Sequence, residues 1–476
     1  MKPYQLFLAL FIGILVCMAS FLFFQSEAMS QFIWNVNTFH GFFSKFPDHL
    51  TKYDIVGSYA FAFNDFYAHL PRSVSENSML YSFLLTCTFF IFSSGCVLIK
   101  KQTANFQVLR IAHYLILTSI VIFGLWLRLF FAYHTTANHD MVSWYIDKDI
   151  LDHGHNVYGL TTRYNYSPVW FLMLKALAGV NQLFPQFPFM FIVRSFLSLT
   201  DVVSLFIVWK IAGKLNANPL KSAALFFLNP VSIIITGYHG QFDGLVVLFL
   251  LGALLVYVLY RDKGWFSGWL MVTFGLILKH EIPQQLVIFL RYVKLPWKEV
   301  LGFTFASVAL FLVSFVPYMR EGLSGIIANV FQYGGMRENY GLIMFYERLG
   351  EQGNVYASIH KVAFILGLMM WALYYRPTNL IRGSLLGFLF FLVFTSGMSL
   401  QQLVLPVAIG AIIPSGGFYL YCIISTFVLL GDVNELKIHL FEPFSIAFVW
   451  VAAVAWFGSE LKKSNMNALF HQSDHA

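Results

Sequence analysis

Charge is what this chain has least of. Lys, Arg, Asp and Glu make up only 11% of it, where soluble domains carry about 25%, so an ordinary water-soluble surface is excluded. Cysteine is scarce as well. Cys17, Cys87, Cys96 and Cys422 each fall inside an apolar run, which excludes a disulfide framework and a cysteine-based zinc site and predicts buried free thiols. No P-loop, GxSxG, HExxH or CxxC pattern occurs, so the chemistries those motifs serve find no support. The chain also lacks internal repeats and low-complexity linkers, and reads as a single domain over 1–476. Its formal charge of +7 is dispersed at the ends of apolar segments and forms no basic patch, which argues against a nucleic-acid partner.

What is abundant is apolar sequence, 58% of the chain. Apolar runs of about 15–24 residues recur from Tyr4 to Phe457, the pattern of an all-α, polytopic transmembrane protein and not the weak ten-residue alternation of a membrane β-barrel. The first run, 5–24, has no small-residue cleavage site behind it and is expected to be a retained helix. Lysine and arginine sort the loops. Placing Lys2, Lys100, Lys101, Arg110, the Lys210–Lys214–Lys221 cluster, Arg261, Lys263, Arg291, Lys294, Lys298, Arg376, Arg382, Lys462 and Lys463 in the cytoplasm gives one self-consistent topology with both termini inside. It needs about twelve to fourteen spans, near 5–24, 79–99, 111–133, 189–209, 222–238, 244–260, 264–279, 283–293, 300–317, 357–375, 384–398, 402–413, 416–431 and 444–458. Residues 169–184, bounded by Pro168 and Pro185, are expected to lie on the outer leaflet instead of crossing it. The Asp140 loop, the 239–243 and 279–285 turns, the 318–356 loop and Gln401/Gln402 then share the extracytoplasmic side.

That side holds the residues able to do chemistry. Asp140, Asp147, Asp149 and Asp152 place four acids within thirteen positions just after an apolar span. Carboxylates at a membrane boundary are costly unless something holds them there. On a helix Asp140 and Asp147 would share a face, and Asp140 would suit a general base. The alternative is a solvated loop with helix-capping acids. His239-Gly240-Gln241-Phe242-Asp243 fills a turn where any short link would serve; Asp243 suits a helix N-terminus, but His239 and Gln241 are not needed for that. Lys279 breaks the positive-inside rule, either as an interfacial side chain or as a phosphate ligand. Arg337, between glycines and aromatics, reads as a flap for an anionic head group or as an ordinary exposed loop. Arg128, inside a span, needs a carboxylate or a lipid phosphate as partner.

In combination these pieces resemble the GT-C superfamily of integral-membrane glycosyltransferases that use polyprenyl-phosphate sugars. Asp140 with Trp144-Tyr145, Leu151, Gly154 and Tyr158 resembles the first outer loop of the bacterial polyprenol-phosphate mannosyltransferases. Tyr164-Asn-Tyr-Ser-Pro168 is similar to the superfamily's Y-x-Y-P-P turn, with Ser167 in place of the first proline. Asn229-Pro230 with Gly237 to Asp243 resembles its N-P…G-H-x-D step, and Ser399-Leu-Gln-Gln402 with Leu405-Pro406 its late Q-Y…L-P step. The resemblance covers roughly 128–406. It implies a GT-C-like core over 111–406, an additional N-terminal hairpin and outer loop over 1–110, and C-terminal helices over 407–476.

The same resemblance implies an inverting transfer of a hexose, by analogy mannose, from a polyprenyl-phosphate donor to a lipid-linked or other glycan acceptor. Asp140 would be the base. Asp147, Tyr164, His239, Gln241, Asp243, Lys279, Arg337 and Gln401 would bind substrate, with Lys279, Arg337 and Arg128 as cations for the departing phosphate. A divalent metal, Mg or Mn, is left open, because Val142 stands where an Asp-x-Asp pattern would put its second acid. The expected partners are the sugar donor, the acceptor and membrane lipids. The expected location is a bacterial inner membrane, with the endoplasmic reticulum as the alternative, and the site faces the extracytoplasmic or lumenal side. Rival classes are a secondary transporter or lipid flippase, a polysaccharide polymerase or ligase, and a non-catalytic scaffold subunit.

Overall fold

The computed structural model describes residues 108–135, 139–280, 282–332, 342, 351–375, 379–395, 397–432 and 445–473. The two expected N-terminal spans, the loop between them, Cys17, Cys87, Cys96 and Arg337 lie outside the described residues. Within those residues the structure is helical and contains no strand. Four helices are long and apolar enough to cross a membrane: His113–Tyr133, Phe189–Lys214, Asp243–Tyr260 and Trp297–Phe331. A fifth is added if the bent pair Pro219–Phe227 and Pro230–His239 is one span. Several shorter apolar helices accompany them. The described residues are all-helical, and the chain is a multi-pass membrane protein.

The described residues divide into two compact units. The first takes in 108–164, Phe171–Phe242 and 426–432; the second takes in Asn165–Trp170, Asp243–Ser425 and 445–473. The first unit is built from α1 (Val108–His134), α2 (His139–Asp152), α3 (Val157–Leu160), most of α4 (Pro168–Leu183), α5 (Phe189–Lys214), α6 (Pro219–Phe227) and α7 (Pro230–Ile233), which runs on as a π-turn, Ile234–His239. Asn156, Asn218 and Asn229 cap α3, α6 and α7 through their side-chain oxygens, and Pro219 and Pro230 occupy first-turn positions where no N–H is needed. Helix α5 packs on α1 and α6. A buried ion pair ties these helices together. The Arg128 Nε donates to Asp201 Oδ2 at 3.1 Å, its Nη1 to the carbonyls of Gly124 and Phe227, and its Nη2 to Ser232 Oγ at 2.7 Å. Asp201 Oδ2 also accepts from Thr236 at 2.8 Å and Ser232 at 3.3 Å. Of the two partners expected for Arg128, the carboxylate is the one present, so this guanidinium is committed to the scaffold and not to a departing phosphate.

In the second unit α8 (Asp243–Tyr260) and α9 (Trp265–Leu278) fold back on each other through a short 3₁₀ turn, Arg261–Lys263. Then come α10 (Pro283–Tyr292), α11 (Trp297–Ser314), α12 (Met319–Gly325) with its π-turn Ile326–Phe331, α13 (Glu351–Tyr374), α14 (Leu380–Phe394), a 3₁₀ turn Leu400–Val404, α15 (Val407–Ile412), α16 (Gly416–Asp432, to Ser425 in this unit) and α17 (Ser445–Ser473). Trp456 on α17 is fully buried and lies where a β-carbon on Gly410 or Gly417 would be. Cys422 is buried, as expected.

Three elements differ from the sequence reading. Residues 222–238 do not form one continuous span: Asn229-Pro230 breaks them into two helices bent by 47°. The outer loop expected over 318–356 is helical as far as Phe331, and α13 starts at Glu351. Residues 402–413 form a 3₁₀ turn and a six-residue helix, at about 1.5 Å per residue too short to cross a bilayer.

Candidate functional site

The acid-rich segment is a helix, α2, and its composition explains why. Asp140 sits in the first turn, where a carboxylate interacts favourably with the backbone dipole. Met141, Trp144, Tyr145, Ile146 and Ile150 are buried. Trp144 Nε1 donates to the Gly240 carbonyl at 3.3 Å and its ring lies 5.9 Å from that of Phe242, while Tyr145 meets Phe189 edge-on at 5.4 Å. Gly240 has φ +66°, and a β-carbon there would run into the Met141 sulfur and Arg194 Cγ. Only glycine lets the 239–242 turn dock this closely.

The titratable side chains of interest lie along α2. Asp140 is half-buried. Asp147 is fully buried, and no hydrogen bond within the protein reaches either of its carboxylate oxygens. Burial pushes the Asp147 carboxyl well above the usual carboxylate range, against the opposing pull of the Arg163 charge. Arg163, from the loop after α3, donates from Nε and Nη2 to Ser143 Oγ at 3.1 and 2.9 Å. Burial lowers the guanidinium to about 10, opposed first by Asp140 and then by Asp147. Asp140 and Asp147 are therefore brought to one cation, a residue that reading the sequence missed. Its only signal was a lone arginine directly before the Tyr164-x-Tyr166 turn.

Tyr164 has a structural task. Its buried hydroxyl accepts from the Phe171 N–H at 3.1 Å, one of the first-turn amides of α4 that a helix cannot satisfy internally, and its ring packs on Tyr158 and Phe171. His239 ends the π-turn and is buried. Gln241 is buried with neither amide atom hydrogen-bonded within the protein, which costs free energy unless a polar partner enters.

Within the second unit Lys279 and Asp243 come together. The Lys279 ammonium donates to both Asp243 oxygens at 2.9 and 3.0 Å, lies 5.5 Å from the Tyr166 ring centre, and both residues are buried. His280 follows, its imidazole driven down to about 4 by burial and by the Lys279 charge. Gln284, in the first turn of α10, is buried with both amide atoms unbonded within the protein, and Gln285 Nε2 donates to the Ser384 carbonyl at 3.0 Å. Gln401 is buried on a 3₁₀ turn that packs on α8 and is capped by Ser399 and Gln402. Among the described residues no group of three His, Cys, Asp or Glu side chains is placed to hold a metal. Comparison with protein-family models, curated proteins and solved structures finds no match to this chain.

Proposed function

We propose that the protein is an inverting, GT-C-type glycosyltransferase that moves a hexose, mannose by resemblance, from a polyprenyl phosphate to an extracytoplasmic lipid or glycan hydroxyl. The observation that carries this reading is Asp140, a half-buried carboxylate in the first turn of a polar helix that follows α1 within five residues and shares a cation with a second, buried acid. In the transfer the acceptor oxygen attacks the anomeric carbon, Asp140 takes the hydroxyl proton, and the bond to the phosphate oxygen breaks with its electron pair leaving on the polyprenyl phosphate. That product is a good leaving group and needs a cation more than an acid, the task assigned to Lys279 and Arg337. Displacement through an oxocarbenium-like state inverts the anomeric carbon.

The test is transfer of radiolabelled hexose from polyprenyl phosphate to a membrane extract. Asp140→Asn keeps the shape of the side chain but cannot take a proton, so transfer should fall at least about a hundredfold at equal expression. Turnover within a few fold of wild type removes Asp140 as the base.

A second reading has its own support. The bent pair at Asn229-Pro230 and the buried Lys279–Asp243 pair are features that secondary transporters place at their binding sites. Substrate flux into proteoliposomes without chemical change would favour it.

A further inference from the structure

We infer that Arg163, pinned by Ser143, is the positioning residue that aims the Asp140 side chain and keeps it a carboxylate. The inference rests on the reading of Asp140 as the base. Helical spacing sets it up. Ser143 lies three residues after Asp140 and four before Asp147, so the three side chains occupy one face of α2 with the hydroxyl in the middle. Two nitrogens of Arg163 donate to that hydroxyl, at 3.1 and 2.9 Å, which fixes the planar guanidinium over the centre of the face. Both acids act on it electrostatically, Asp140 the more strongly. The loop has other anchors as well: the Arg163 N–H donates to Thr161 Oγ1, and Asn156 and Tyr164 accept first-turn amides of the adjoining helices.

The division of labour between the acids follows from burial. A single cation cannot neutralise two carboxylates. Asp147, fully buried and without a hydrogen bond to either oxygen, is the one that desolvation favours as the neutral acid. Half-buried Asp140 is left with the guanidinium charge. Among the described residues, other charged or titratable side chains on α2, and on elements packed against it, have contacts of their own or are buried in the packed interior. Lys148 pairs with Asp152 at 2.7 Å and His153 with Asp149. Arg194 donates to the carbonyls of Ala132, Thr135, Gly237 and Tyr238 and to the Thr135 hydroxyl. Tyr145 and Tyr158 sit in aromatic pairs with Phe189 and Tyr164, and His239 is buried in the docked turn.

Infrared titration of the purified full chain, each variant subtracted from the same variant carrying Asp140→Asn, reads the ionisation of Asp140 without any need for turnover. Arg163→Gln removes an opposite charge, so the Asp140 midpoint should rise by about 1–3 units. Arg163→Lys keeps the charge but loses the fork, and Ser143→Ala frees the guanidinium; each should give a smaller rise. Where transfer is measurable, its acid limb should move to higher pH by the same amount, so that the Arg163→Gln defect deepens as pH falls. A purely structural arginine would lower folded yield without moving either midpoint. An unmoved Asp140 midpoint in Arg163→Gln overturns the inference and leaves the transferase reading intact; if that variant does not fold, an unmoved midpoint in Ser143→Ala and Arg163→Lys does the same. A midpoint that moves in Arg163→Gln while the wild-type chain transfers no sugar sinks the transferase reading and leaves Arg163 as the holder of Asp140.

Discussion

Two arginines in the first unit invite comparison. Arg128 commits Nε, Nη1 and Nη2 to one carboxylate, two carbonyls and a hydroxyl, and its partner Asp201 accepts from three side chains. Arg163 donates to the Ser143 hydroxyl and lies in the field of two acids, and the deeper acid receives no hydrogen bond from the protein. The first network is saturated, and a saturated network has nothing left to offer a ligand. The second is short of donors around a buried carboxylate, an arrangement that folding alone does not favour. In an apolar chain an ionisable side chain is thus a weak guide to function by itself. What separates scaffold from site is whether the protein already satisfies it.

The largest expected effect tests the saturated side. Asp201→Ala would strand the Arg128 guanidinium in a dry interior, at a cost of about 3–5 kcal/mol. Thermal unfolding in detergent should show a large loss of stability, while protein that stays folded keeps its turnover per molecule. A fall in turnover matching that of Asp140→Asn, at full stability, would mean that the Arg128 network belongs to the chemistry and that saturation does not discriminate. Next come Lys279→Ala and Arg337→Ala, which remove cations proposed to meet the donor's phosphate and should weaken donor use by about 1.5–3 kcal/mol, more than acceptor use. Lys279→Ala also strands the buried Asp243 carboxylate, so its kinetics are read per folded molecule. Kinetics with donor and acceptor varied separately will tell; equal effects on both would make these residues ordinary charges.

Asp147 allows a sharper comparison of the two networks. Its folded-state affinity for a proton is raised, so between the unfolded value of about 3.9 and the folded one the native state holds a proton that the unfolded chain has released. Stability contributed by this group is present at low pH and is lost as pH rises through that window. Asp147→Asn cannot ionise and should not share the decline. Unfolding measured across pH should therefore show wild type falling relative to the variant as pH rises, and parallel curves would mean that Asp147 is not held neutral.

Much of the scaffold is legible in the sequence because membrane helices announce themselves through long apolar runs and punctuation. Phe189–Lys214, Asp243–Tyr260, Trp265–Leu278 and Pro283–Tyr292 begin within one residue of where hydropathy puts them. The break at Asn229-Pro230 escapes notice as a break, since hydropathy averages over a window and stays high across a bend. The segment after Pro317 reads as loop because polar residues interrupt it, yet helical hydrogen bonding continues to Phe331. The candidate site is half legible. Four acids within thirteen positions stand out in a chain this apolar. Arg163 does not, because its meeting with Ser143, twenty residues earlier, is made by the path of the loop and by no local pattern. Asp201 hides inside an expected span for the same reason: its partner lies seventy-three residues away.

The smallest effect belongs to the acid at the far end of α2. Asp152 pairs with Lys148 at 2.7 Å one turn earlier, with both side chains partly in solvent. Exposed pairs of this kind contribute about 0.2–1 kcal/mol, and here the lysine precedes the acid, the less favourable order along a helix. Water can solvate each partner if the other is lost. Asp152→Asn should therefore leave thermal stability almost unchanged and transfer within a few fold of wild type, although it removes one of the four acids that make this segment stand out. Matched assays of Asp140→Asn, Asp147→Asn and Asp152→Asn then rank the acids by how completely the protein has already satisfied them. If Asp152→Asn cuts transfer as deeply as Asp140→Asn, the exposed end of the helix carries chemistry and burial has pointed to the wrong acid.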